Sequence, residues 1–185
     1  MDLSKTAYVI LGMLKLGRRT GYEIKRLVDV STRFFWAASY GQIYPELARL
    51  EELGLVEGER DPSDPRRRKA YELTPSGDEA LREWLTSPAP LHLELRHEGC
   101  LKLFFSDTLE PEEQIELLRR ISAEHERVAE RLREIEPRAR ALEEETGTRC
   151  PRVVLEWGLD YEGFFVEWCR RVERELAGDA ARAGG

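Results

Sequence analysis

Cysteine is scarce in this 185-residue chain: Cys100, Cys150 and Cys169 are odd in number, far apart and free of C-x-x-C spacing. That excludes a disulfide framework and a zinc knuckle and leaves buried thiols as the plain reading. Long hydrophobic runs are missing too. The longest nearly unbroken one, Ala7 to Leu14, falls far short of the roughly 18 residues that span a bilayer. Lys15, Arg18 and Arg19 follow it where a secretory signal would carry small cleavage-site residues, so the chain reads as cytoplasmic, with no membrane partner. Catalytic signatures are also lacking. There is no glycine-rich phosphate loop and no G-x-S-x-G, and His97-Glu98 and His125-Glu126 begin like H-E-x-x-H but carry Leu101 and Ala129 at the fifth position. Cys100 near His97 has no legible oxyanion or orienting partner. No catalytic residue, metal ligand or cofactor is expected, and the chain does not read as an enzyme.

What is present is a core and a great deal of charge. Apolar residues make up 41% of the chain, enough to pack a core, while charged residues make up 35%, above the roughly 25% of an average domain. The balance favours long, solvated helices over a compact sheet. Net charge is −7, but it is uneven: residues 1–87 hold 14 Lys and Arg against 14 Asp and Glu, and residues 88–185 hold 15 against 22. An acidic total therefore does not exclude a nucleic-acid partner for the first half, where the local patch decides.

Leu3, Ala7, Ile10, Leu11 and Leu14 share one face of a first helix that Gly17 can end. Thr20 and Glu23 have capping-box spacing and open a second helix, about Gly21 to Ser31, with Ile24, Leu27 and Val28 inward. Phe34, Phe35 and Trp36 follow as a buried connector. Ser39 and Gln42 repeat the box before a third helix with Ile43, Leu47, Leu50 and Leu53 on one face, ending at Gly54; Pro45 predicts a bend or an irregular first turn. The period then changes to 2. Leu55–Arg60 and Lys69–Thr74 read as strands around an eight-residue turn ending Arg66-Arg67-Arg68, a hairpin with a basic tip. Thr74 and Pro75 open a fourth helix with Ala80, Leu81, Trp84 and Leu85 as its stripe.

Three helices and a hairpin are the order of a winged helix-turn-helix. The stretch Tyr40-Gly41-Gln42-Ile43-Tyr44-Pro45-Glu46-Leu47-Ala48-Arg49-Leu50-Glu51-Glu52-Leu53-Gly54-Leu55-Val56 resembles the signature of the PadR family of bacterial transcriptional regulators. Gly21-Tyr22-Glu23-Ile24, Phe35-Trp36 and Arg68-Lys69-Ala70-Tyr71-Glu72-Leu73-Thr74-Pro75-Ser76-Gly77 match its pattern at the right separations, and Tyr40 departs from it where relatives often carry proline. The second half is similar, more weakly, to the helical dimerisation region of virulence activators in one PadR subgroup. The resemblance implies a mostly α fold: a winged helix-turn-helix with a two-stranded wing over 1–87, then an α-helical dimerisation and effector-sensing region over 88–185. It implies a DNA-binding regulator, a repressor acting as a homodimer on a palindromic operator. The alternative is a winged-helix protein-interaction module without sequence-specific DNA binding, since fold alone does not fix function.

In a helix-turn-helix, the recognition helix enters the major groove of double-stranded DNA and neighbouring elements hold phosphates. Ser39, Tyr40, Gln42, Tyr44 and Arg49 are the polar positions on or beside helix three. Gln42 is the first choice for reading a base, because glutamine can bond adenine through two atoms. Arg49 contacts phosphate or pairs with Glu46 or Glu52. Tyr44 resembles the family tyrosine that approaches DNA, with packing on the core as the alternative. Arg66, Arg67, Arg68 and Lys69 on the wing, with Arg18, Arg19 and Lys25 near helix two, supply backbone contacts. With roughly four to six phosphates neutralised per protomer, a dimer would show a salt slope on the order of −7 to −11.

From Leu118 the spacing settles into heptads, with Leu118, His125, Leu132 and Ala139 at one seam position and Ile121, Val128, Ile135 and Leu142 at the other, a coiled-coil pattern. Leu118, Ile121, His125, Val128, Leu132 and Ile135 are the candidate dimerisation residues, with the final helix of the same chain as the other candidate partner. His125 either specifies register or reaches out to solvent. Pro111 suits a first helical turn, and Pro137 predicts a kink or break. In the last helix Trp157, Tyr161, Phe164, Phe165 and Trp168 form an aromatic face, read as dimer core or as a pocket stacking a small aromatic effector. PadR-like proteins often release DNA on binding small phenolic or multidrug-like ligands, and the resemblance implies that option.

Overall fold

The computed structural model describes residues 3–17, 19–60, 68–91, 93 and 95–183, and the chain divides into two compact units, Met1–Leu91 and His92–Gly185. The first unit is built from α1 (Lys5–Lys15), β1 (Arg19–Thr20), α2 (Gly21–Asp29), α3 (Tyr40–Glu52), β2 (Val56–Arg60), β3 (Lys69–Leu73) and α4 (Pro75–Leu85). Most of the stripes read from the sequence form its core, but Leu53 and Trp84, expected on them, are exposed near the ends of their helices. Ala7, Ile10 and Leu11 of α1, Ile24 and Val28 of α2, and Ile43, Leu47 and Leu50 of α3 are fully buried in one cluster with Val56, Tyr71 and Leu81.

Helix ends are fixed by local chemistry. Ser4 caps α1 by accepting the Ala7 N–H at 3.0 Å. At α2 the box is reciprocal: Thr20 Oγ1 accepts from the Glu23 N–H at 3.3 Å, and the Glu23 carboxylate accepts from the Thr20 N–H at 2.7 Å. α3 ends in a Schellman motif, with Gly54 at φ +68°, its N–H donating to the Glu51 carbonyl at 2.9 Å and the Leu55 N–H to the Leu50 carbonyl at 2.9 Å. Thr74 ties this corner together. Its hydroxyl donates to the Gly54 carbonyl at 2.8 Å and accepts from the Gly77 N–H at 3.1 Å, which caps α4 with Pro75 at the first helical position.

The expected two-stranded wing is present as β2 and β3, and a third strand joins it: the sheet order is β1-β3-β2, all antiparallel, and β1 pairs Arg19 with Tyr71 and Thr20 with Ala70. Other expectations are corrected. Phe35 and Trp36 are exposed, not buried, because consecutive side chains around the short 3₁₀ turn Thr32–Phe34 diverge by about a third of a circle and cannot all face the core. Leu85 is exposed at the last residue of α4. α3 is continuous from Tyr40 to Glu52 with Pro45 inside it, so the proline does not end the helix.

The second unit consists of α5 (Glu98–Phe104), a 3₁₀ turn, α6 (Pro111–Thr146) and α7 (Cys150–Ala183). Glu110 caps α6 and Pro111 takes its first position. The helix is not broken at Pro137. Pro137 and Arg133, whose carbonyl loses its partner, are both exposed to water, while Leu132 and Ala139 on either side are buried and hold the helix on its neighbour. Gly147 at φ +71° ends it, and α7 returns antiparallel. Ion pairs join the two helices in descending order, Arg119 with Glu173 at 2.7 Å, Arg170 with Glu126 at 3.0 Å, and Arg152 with Glu143. Leu117, Leu118, Ile121 and Cys169 form the buried cluster between them. No helix among the described residues is long and apolar enough to cross a membrane.

Candidate nucleic-acid interface

α3 lies with Ile43, Leu47 and Leu50 inward and its first turn, Tyr40, Gly41 and Gln42, exposed. The amides of a first helical turn have no intrahelical partners and carry the positive end of the helix dipole, so this terminus suits a polyanion. The chemistry around it is specific. Gln42 Oε1 accepts from the Ser39 N–H at 2.9 Å and from the Ser39 hydroxyl at 3.0 Å. The carboxamide thus closes its own helix end. Bonding adenine through both amide atoms would require that cap to open.

Tyr40 and Tyr44, one turn apart, are 44% and 49% exposed, which removes the core-packed reading of Tyr44. Their rings stack with centroids 6.2 Å apart, and Lys25 Nζ stands 5.5 Å from the Tyr40 ring while pairing with Asp29. The position of Tyr44 depends on a residue that sequence reasoning used only as part of a motif. A Cβ at Gly21 would lie 2.7 Å from the Tyr44 ring, so glycine at the start of α2 makes room for it. Arg49 bonds Glu46 at 3.4 Å, one of its two expected roles.

At the wing, Lys69 pairs with Glu51 at 2.5 Å and lies 5.5 Å from the Tyr71 ring, which ties the base of β3 to α3. Arg68 is exposed, and its positive charge acts on Glu23. The Glu23 carboxyl is held below the ordinary carboxylate range first by its bond from the Thr20 N–H, with the Thr20 hydroxyl, Arg68 and Arg19 adding to the effect against partial burial. Arg19 is half-buried and donates to the Leu16 carbonyl at 3.0 Å. Arg18, Arg66 and Arg67 lie outside the described residues. The N-terminal unit thus places Tyr40, Gln42, Tyr44 and Arg68 on its surface, while Lys25, Arg19, Arg49 and Lys69 spend part of their hydrogen bonding internally.

In the second unit the candidate dimerisation residues are occupied within one chain. Leu118, Ile121, His125 and Leu132 are buried. Leu118 and Ile121 pack with Cys169 of α7, and Leu132 lies against Gly158 of the same helix. The seam residues pack against the chain's own α7, folded back through the Gly147 turn. Val128 and Ile135 are half-buried at its margin. His125 does not reach solvent: its Nδ1 meets a Glu162 carboxylate oxygen at 2.5 Å. The aromatic face of α7 is split. Phe165 is buried, Tyr161 and Trp168 are half-buried beside it, and Trp157 and Phe164 are 55% and 63% exposed. A groove of about 810 Å³ lies elsewhere, between α5 and the start of α6, lined among others by Leu101, Phe105, Leu109, Glu113, Leu117 and Arg120. Among the described residues, no group of three or more His, Cys, Asp or Glu is arranged to hold a metal ion.

Comparison with known proteins follows the same division. Residues 10–83 match the transcriptional regulator PadR-like family, and residues 95–177 match the virulence activator alpha C-terminal family. The chain is 33% identical over 113 residues to the negative transcriptional regulator PadR of Bacillus subtilis (strain 168), covering 60% of this chain and 62% of that protein. The aligned stretch therefore spans less than two thirds of the curated relative's length. Bacillus subtilis PadR in complex with operator DNA has a similar structure, with TM-score 0.79 and 25% identity over 94% of this chain and 99% of that one. The same regulator in complex with p-coumaric acid gives TM-score 0.76 and 25% identity over 95% and 99%.

Proposed function

We propose that the chain is a member of the transcriptional regulator PadR-like family, whose model its residues 10–83 match, and that it acts as a cytoplasmic homodimeric repressor gripping a palindromic operator. The observation that carries this reading is the exposed, polar first turn of α3, with Tyr40, Gln42 and Tyr44 outward and Arg68 at the base of the wing of the same unit. In this reading α3 enters the major groove and Arg66, Arg67 and Arg68 hold the flanking phosphates. Gln42 exchanges its bond to Ser39 for one to a base edge. Tyr40, Tyr44 and Lys25 contact the backbone, joined by Arg18, and Arg19, Arg49 and Lys69 brace the helix and wing.

A single helix and wing cover few base pairs, whereas two copies related by a two-fold axis place their recognition helices about 34 Å apart in successive major grooves. In this reading the dimer surface draws on the apolar residues left exposed on the second unit, Leu101, Phe104 and Phe105 of α5 and Val153, Trp157 and Phe164 of α7, with the half-buried Val128 and Ile135 of α6. Apolar side chains that gather into one patch mark an association surface. The relative that binds p-coumaric acid supports release by a small aromatic effector stacked on the α7 aromatics, Trp157, Tyr161, Phe164, Phe165 and Trp168.

The test is binding to labelled double-stranded fragments from the chain's own upstream region, followed by anisotropy. Arg67→Ala with Arg68→Ala weakens binding and lowers the salt slope by about one for each phosphate contact removed. Unchanged affinity would favour a protein-interaction module instead. Addition of p-coumaric acid quenches tryptophan fluorescence and weakens operator binding; a screen of aromatic acids doing neither removes the effector role.

A further inference from the structure

The DNA-binding reading makes no use of a polar line inside the second unit. His97 caps α5, His125 lies on α6 and Glu162 on α7. His97 Nε2 is 2.8 Å from His125 Nε2, and His125 Nδ1 is 2.5 Å from a Glu162 carboxylate oxygen. At the other end the Cys100 N–H donates to His97 Nδ1 at 3.0 Å. His125 and Glu162 are buried, and the Phe165 ring stacks on both imidazoles, with centroids 4.8 Å from His97 and 4.3 Å from His125.

Counting donors and acceptors places the protons. A backbone N–H only donates, so His97 Nδ1 holds a lone pair and the ring's single proton is on Nε2. That proton points at His125 Nε2, which must accept it. The His125 proton is then on Nδ1, aimed at the carboxylate. Two protons on two rings satisfy every link, and a third has no place. On His97 Nδ1 it confronts the Cys100 N–H; on His125 Nε2 it confronts the His97 N–H. Shifting the tautomers moves the break without removing it.

We propose that the His97–His125–Glu162 line is a proton-operated latch: with both rings neutral it seats the N-terminus of α5 on α6 and α7, and one added proton unseats α5. Because α5 presents Leu101, Phe104 and Phe105, the latch sets the apolar face that this unit offers. The titratable groups around His97 are His125 from α6, Glu162 and Tyr161 from α7, and Cys100 on its own helix, with Arg96 and Glu98 flanking it in the chain and Glu98 paired with Lys102 at 2.6 Å. Burial, then the neighbouring His125, hold the His97 imidazole below its usual range, against the opposite pull of Glu162. The unfolded chain therefore takes up the proton more readily than the folded one. The stability contributed by the latch is full above the unfolded histidine range and is lost as pH falls through and below about 6.5.

The experiment is hydrogen exchange on the full chain, comparing protection factors, which remove the intrinsic pH dependence, at pH 7.5 and pH 5.5. Amides of Cys100 to Phe104 lose about fivefold protection at the lower pH, the loss of one helix cap, while those of α1 stay constant. His97→Asn keeps a capping oxygen without a titrating ring and shows no such fall. The proposal is overturned if wild-type α5 protection is the same at both values, or if the asparagine variant falls like wild type. Imidazole nitrogen shifts of wild type give an independent check that needs no variant: at pH 7.5 His97 carries its proton on Nε2 and His125 on Nδ1, and the opposite tautomers overturn the proposal.

Discussion

The two units bury their interiors in different ways. In the N-terminal unit, six elements converge on one apolar cluster in which Ile10, Leu11, Ile24, Ile43, Leu47 and Leu50 are fully buried, and its helix ends are closed by caps. The C-terminal unit stretches 36 and 34 residues into two antiparallel helices that sequester a small cluster and a His–His–Glu line, and it leaves Phe104, Phe105, Trp157 and Phe164 in water. The first unit closes one large core, although Phe35, Trp36 and Leu85 stay exposed on it. The second carries more apolar surface than two helices can cover, which is how a surface kept for a partner is built.

The largest effect that would sharpen this contrast comes from opening the first core. Leu47→Ala removes a fully buried side chain and costs about 2–5 kcal/mol, read by denaturant unfolding. Next is Gly77→Ala. A Cβ there would lie 2.0 Å from the Leu55 carbonyl oxygen, which belongs to the backbone and can move only with the corner where α3, the wing and α4 meet. The expected loss is roughly 1–3 kcal/mol. Phe164→Glu acts on the other side of the comparison: it leaves the fold of each protomer intact and weakens self-association at least about tenfold by sedimentation, or roughly 1.4 kcal/mol. A variant that remains as dimeric as wild type breaks the link between exposed apolar area and partner. Smallest is Arg119→Ala. Its pair with Glu173 is largely solvated, and its loss costs under about 1 kcal/mol in thermal unfolding.

Much of the N-terminal unit was legible in the sequence, because each of its signals is local. Thr20 with Glu23, Ser39 with Gln42, and Thr74 with Pro75 announce helix starts through atoms three residues apart, and Gly54 announces an end. β1 was not legible: two residues, Arg19 and Thr20, are too few to show a period, and they become a strand only because β3 lies beside them. α5 was missed for a related reason, being seven residues long and capped by His97, a residue type that does not announce a cap. The heptads of α6 declared an apolar stripe without saying what covers it. Leu118 and Leu132 look the same in sequence whether the neighbour is α7 or a second protomer. His125 shows the same limit, since its partners His97 and Glu162 are 28 and 37 residues away. Among the DNA-facing candidates, residue type and position were readable, but prior commitments such as Gln42 to Ser39 and Lys69 to Glu51 were not.

The central claim is that α3 and the basic wing, presented twice by a paired chain, hold duplex DNA. It is tested most directly by a salt titration of binding to double-stranded upstream fragments. The account predicts saturable binding at two protomers per site, with affinity falling on a log–log slope on the order of −7 to −11. Absence of binding to those fragments even in dilute buffer would contradict it.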